Sequence, residues 1–212
     1  MPRVLVINPN SNEEVTEGMR DALDGLPGVE CATLPEGPFG IETQAHVDAV
    51  IEPLRRLVQA RTDCGAFVIA CYSDPGLAEC RAATATPVFG IQESGVRLAL
   101  RHGRFGVVAL GPQSIERHMR YMGAMGVLDS LAGERPLHMT VAEGERPEAF
   151  PRILEVATAL RDEDGAASIL LGCAGMSRHR ARLEQALGLP VIDPTQAAAA
   201  EALAATEAPT AA

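Results

Sequence analysis

The chain has 212 residues, 47% of them apolar, which is enough for one large domain or two small lobes around a buried core. Its formal net charge of −10 disfavours nucleic acid or an anionic membrane as partner, and it provides no long-range attraction for an anionic substrate, so an anion must be held by local groups. No apolar run approaches the roughly 18 residues of a membrane span, and the chain enters a strand at Val4, which leaves no signal peptide. Five cysteines without a CxxC pair fit neither a disulfide scaffold nor a zinc ribbon, so a reducing cytoplasm is the expected compartment.

In chain order, the apolar run at 3–7 predicts a strand, followed by a helix near 12–24 and a strand at 29–33. A long helix over 44–62, a strand at 66–70, a helix over 75–84 and a strand at 87–90 complete a first lobe, taken as 1–95. The helix near 92–102 spans the lobe switch, between Glu93 and His102. A second lobe over 96–194 then predicts strands at 105–109, 137–141, 167–171 and 190–192, with helices near 114–125, 147–163 and 177–187. A last helix covers 195–206, and 207–212 reads as a frayed tail. Strands apolar on both faces that alternate with helices argue for an α/β fold of parallel sheets covered on both sides.

Cap chemistry locates the loops. Ser11 and Glu14 match an S-x-x-E capping box, Asp74 before Pro75 reads as an N-cap with proline at the first helical position, and Ser177 is placed to cap the helix after Cys173.

Two stretches match. AFVIACYSDPGLAECRAATATPVFGI begins at Ala66 and ASILLGCAGMSRHRARLEQALGLPVID at Ala167. Each is a strand, a cysteine, a glycine-containing turn, a helix and Pro-Val opening the next strand. Cys71 to Pro87 spans 16 positions and Cys173 to Pro190 spans 17; Ser11 to Cys71 spans 60 and Ser114 to Cys173 spans 59. Both cysteines fall just past a strand's C-terminal end and before a helix, where open α/β sheets bind ligands. Cys31, Cys64 and Cys80 read as small buried hydrophobes.

Two similar halves can face their loops across a cleft, with one thiol on each side of a substrate. A thiolate on one face then takes a proton from carbon and a thiol on the other returns one, which inverts the stereocentre. A helix N-terminus is expected to pull at least one of these thiols below the ordinary cysteine value. Backbone N–H groups of Tyr72 and Ser73, and of Ala174 and Gly175, are placed to hold the developing negative charge. The scheme calls for no cofactor, and no Walker loop, GxGxxG or HExxH signals one. Asn8 and Asn10 either bind substrate or stabilise the turn around Pro9. His46, His118 and His179 read as solvated or capping residues, and Arg178 as a surface residue in a helix's first turn.

INPNSN at 7–12, IACYSDPGL at 69–77 and LGCAGM at 171–176 resemble the hydantoin racemase branch, which includes allantoin racemases, of the aspartate/glutamate racemase superfamily. The resemblance spans nearly the whole chain, including PVFGIQES and PVIDP. It implies two lobes related by a pseudo-twofold, an active site between them, and cofactor-independent two-base catalysis by Cys71 and Cys173. It also implies that the last helix packs back on the first lobe. On this pattern Asn8, Asn10 and Ser11 line the pocket, with Ile41 and Glu42 beside it. One departure stands out. Where the branch tends to carry a Thr-Thr pair, this chain has Ala109-Leu110, leaving Gln113 or Ser114 to replace the lost hydroxyls. The expected substrate is a 5-substituted hydantoin or related cyclic ureide such as allantoin, and the expected assembly a homo-oligomer. The alternatives are an amino-acid racemase of the aspartate/glutamate type, a decarboxylase or cis–trans isomerase of the same superfamily, and a non-catalytic small-molecule-binding protein.

Overall fold

The computed structural model describes residues 3–207. Its order is β1 (Arg3–Asn8), α1 (Glu13–Ala22), β2 (Val29–Thr33), α2 (Gln44–Ala60), β3 (Cys64–Ile69), α3 (Leu77–Ala83), β4 (Val88–Gly90) and α4 (Ile91–Ala99). There follow β5 (Phe105–Ala109), α5 (Pro112–Ala124), β6 (Leu131–Pro136), α6 (Val141–Glu145), α7 (Phe150–Asp162), β7 (Ser168–Leu171), α8 (Arg180–Leu187), β8 (Val191–Ile192) and α9 (Pro194–Glu207). The tail expected at 207–212 lies, beyond Glu207, outside the described residues.

The strands form two four-stranded sheets, ordered β2-β1-β3-β4 and β6-β5-β7-β8, with every pairing parallel. The second order repeats the first, so this is a two-lobe α/β fold. Alternation along each strand sorts the core into layers. Val4, Val6, Val68, Phe105, Val107 and Leu170 face a core shared by both sheets, filled by α4 and α9. Leu5, Ile7, Phe67 and Ile69 face the opposite way, toward α2 and α3, while Ile169 and Leu171 face α7 and α8. Helix α9 lies close because its buried face is alanine: Ala198, Ala199 and Ala202 join the shared core. Gln196 Nε2 donates to Ala22 O at 2.7 Å, and Ser94 Oγ donates to Glu201 Oε2 at 2.7 Å, which ties α9 to α1 and α4.

Three local expectations are corrected. The strand expected at 137–141 lies at Leu131–Pro136. Backbone bonds from Leu137 to Ala109 O and from Met139 to Leu110 O continue alongside β5, but His138 has φ +60 and breaks the extended run. Thr140 and Glu143 then form a capping box that starts α6. At the first loop no Ser11–Glu14 box forms; Asn12 caps α1 by accepting from Glu14 N. Asp74 does not cap α3, which begins after Gly76 at φ +65. Instead Asp74, itself at φ +42, turns its carboxylate onto the N-terminus of α4 and accepts from Gln92 N at 3.0 Å and Glu93 N at 2.9 Å.

Candidate active site

Cys71 and Cys173 each sit two residues past the last residue of a central strand, Ile69 and Leu171. The preceding residues are held alike: Ala70 N donates to Ile7 O at 2.8 Å and Gly172 N to Val108 O at 2.9 Å. At 172 only glycine fits, because a Cβ there would come within 2.6 Å of Val108 O. Both cysteines line one pocket between the two sheets, lined also by Asn10, Ile41, Glu42, Tyr72, Ser73, Gln113, Ser114 and Ala174. The pocket is a slot of about 530 Å³, part of it open to solvent.

Three expected residues stand outside it. Asn8 is buried behind the wall, where its Nδ2 donates to Asn10 Oδ1, Asn12 O and Thr16 Oγ1. That network uses up Asn8 and fixes Asn10, whose Oδ1 also accepts from Asn12 N. The Nδ2 group of Asn10 makes no hydrogen bond among the described residues. Ser11 is held by its backbone, donating to Pro38 O. Gly175 donates its N–H to Cys173 Sγ at 3.4 Å, so it serves the sulfur rather than an oxyanion. Ser73, beside Cys71, likewise draws that thiol down. Ser177 does not cap α8; its hydroxyl donates to Ala174 O inside a short 3₁₀ turn. Ser114 likewise spends its hydroxyl on Gly111 O at 2.8 Å, so it does not replace the missing threonines.

Neither thiol is lowered. Both keep some surface toward the slot, but protein packs around them, and burial pushes Cys71 up to about 11 and Cys173 up to about 12. The expectation of a thiol below the ordinary value is therefore corrected: desolvation of the charged form outweighs the two N–H donors. The surroundings are unequal. Arg117 draws Cys71 down and Asp74 pushes it up, whereas charge on Cys71, then Glu145 and Glu42, all push Cys173 further up. Charge on Cys71 thus disfavours charge on Cys173.

Arg117, Gly111, Val15, Met139 and Val141 also line the pocket without having been expected there, as does His118, expected to be solvated or capping; Leu110, noted in place of a family threonine, lines it too. His118 is buried rather than solvated: its Nδ1 lies 2.6 Å from Glu134 Oε1, and its ring meets Tyr72 edge-on at 4.9 Å. His179 is buried too, with Nε2 3.1 Å from Gly144 O, while Arg178 is exposed and its Nε lies 3.0 Å from Glu145 Oε1. The signal that could have found Arg117 and His118 is their spacing, three and four residues after Ser114, which places them on one helix face. Among the described residues, no group of three or more His, Cys, Asp or Glu is placed to hold a metal ion, and no helix is long and apolar enough to cross a membrane.

The fold is a repeated α/β lobe with a cysteine just past the end of each lobe's central strand. The chain belongs to the Asp/Glu/hydantoin racemase family, whose model matches residues 4–202. It is 36% identical over 202 residues to a hydantoin racemase of a Pseudomonas species, covering 90% of this chain and 80% of that protein. A hydantoin racemase of Paenarthrobacter aurescens is 34% identical over 209 residues, with 92% and 87% covered. The allantoin racemase of Klebsiella pneumoniae has the same two-lobe fold, with a TM-score of 0.91 at 26% identity, covering 96% of this chain and 87% of that one.

Proposed function

We propose that this racemase inverts the carbon beside a carbonyl in a 5-substituted hydantoin or related cyclic ureide, using Cys71 and Cys173 as acid and base on opposite faces. The observation that carries this reading is the placement of both thiols at equivalent strand ends in one slot. A slot suits a flat ring, held edge-on with its stereocentre between the sulfurs. Cys71, with Arg117 and Ser73 drawing it down, is the thiol more readily charged and takes the proton; Cys173 is held neutral and returns one from the other face. In the reverse direction the roles exchange. The Nδ2 group of Asn10 supports a ring carbonyl. The 212 residues contain no lysine, so pyridoxal phosphate would lack the amine that anchors it.

The identity to hydantoin racemases favours cyclic ureides over free amino acids. A decarboxylase needs one thiol, and the matched pair argues against it. The test is optical: single enantiomers of 5-alkyl hydantoins, allantoin, aspartate and glutamate are incubated with the enzyme near neutral pH and followed by polarimetry against enzyme-free controls. Decay of rotation for a cyclic ureide supports the proposal; decay for the free amino acids alone would replace it with the aspartate/glutamate reading.

A further inference from the structure

Arg117 is the only lysine or arginine that lines the slot. It sits in the second turn of α5, where its Nε donates to Ser73 Oγ at 2.9 Å, and this anchors the guanidinium beside the Cys71 loop. No carboxylate of the described residues lies within ion-pair distance of it, and its Nη2 is buried without a hydrogen-bond partner. A buried charged donor without a hydrogen-bond partner is costly. A ligand carboxylate in the slot would relieve it, as charge on Cys71 does in part. The same helix brings its N-terminus to the slot through Gly111, Gln113 and Ser114, and Gly111 supplies no side-chain cap. Two positive sources, the guanidinium and the dipole end of α5, therefore meet at one end. The negative residue of the lining, Glu42, is occupied elsewhere: its Oε1 accepts from Val141 N, and its charge acts on Cys173. With a net charge of −10 the chain as a whole repels anions, so this local field is what can retain one.

We propose that the α5 end of the slot is a carboxylate subsite with Arg117 as its specificity determinant, so that the cyclic ureide carries a short acidic arm on the carbon being inverted. This rests on the proposed function and adds the chemistry of the substituent. The planar guanidinium, fixed through Nε, presents its terminal nitrogens to a carboxylate. Leu110 and Met139, also in the lining, cover the arm's methylene groups.

The test compares hydantoin-5-acetate with its neutral isostere, hydantoin-5-acetamide, in the wild type, Arg117→Gln and Arg117→Lys. The measurement is racemisation at neutral pH, with circular dichroism to establish that each variant is folded. The wild type is expected to favour the acid over the amide by at least about tenfold in kcat/KM. Arg117→Gln should erase that preference mainly through the KM of the acid, and Arg117→Lys, which keeps the charge, should restore part of it. An unchanged acid-to-amide ratio in Arg117→Gln, with both substrates slowed alike, would overturn the subsite and leave Arg117 as a support for Cys71. A wild type that inverts the amide at least as well as the acid would overturn it while leaving the racemase reading standing. Inversion of neither ureide would bring down the proposed function itself.

Discussion

A thiol pushed up to about 11 is a scarce base at neutral pH, with roughly one molecule in 10⁴ charged, but a strong one when formed. The site raises the basicity of Cys71 by excluding water and limits the loss of thiolate through Ser73 and Arg117. Iodoacetamide alkylation followed by peptide mass spectrometry should therefore show Cys71 reactivity still climbing above pH 9, with Cys173 lagging behind it. A plateau for either thiol below pH 8 would contradict the dry slot. At this scale the repeat disclosed the two cysteines, while Asn10, Ile41 and Glu42 were expected at the pocket from the family resemblance, and all five line it. For Asn8 the sequence left open substrate binding or stabilisation of the turn around Pro9; the structure has the second, with Thr16 of α1 completing the network. The partnership of Arg117 with Ser73 was hidden, because it joins side chains 44 residues apart.

Among the elements, the loop after β3 is held from the far side by α4. Asp74 accepts two N–H groups at the start of that helix, and Gly90 leaves it room: a Cβ at 90 would lie 2.3 Å from the Asp74 carboxyl carbon. Asp74→Ala should cost roughly 1–3 kcal/mol in urea unfolding and slow turnover, because the Cys71 loop loses its tie. Gly90→Ala should also destabilise, by displacing the carboxylate. Loss of less than about 0.5 kcal/mol in both would remove the strut. The sequence showed Asp74 as a cap, as its residue type dictates, but not that it caps a helix 17 residues further on. The shift of β6 has a similar origin. LAGERP carries little apolar signal because it is a half-exposed edge strand, whereas the more apolar LHMTV is broken by His138 in the left-handed region.

The repeat governs the whole molecule. Its two sheets and their helices were legible because both lobes bury central strands on both faces, which produces unbroken Val, Ile and Leu runs. Burying polar groups under this architecture gives stability a pH signature. Burial pushes both Asp74 and Glu145 up to about 7, so each holds a proton in the folded chain where the unfolded chain has lost it. Their contribution is full below the unfolded value near 4 and is lost as pH rises through about 7. Tm should fall between pH 5 and 8, and Asp74→Asn should flatten that slope; an equally steep slope in the variant would contradict the assignment. On the proposed reading the repeat supplies one thiol to each face of one carbon. Cys71→Ser and Cys173→Ser should each lower racemisation by about 10²–10⁴-fold. In deuterated water each variant should still exchange the α-proton of one hydantoin enantiomer, and the two variants should exchange opposite enantiomers. Exchange of the same enantiomer by both variants, or loss of racemisation from only one substitution, would contradict the two-base account.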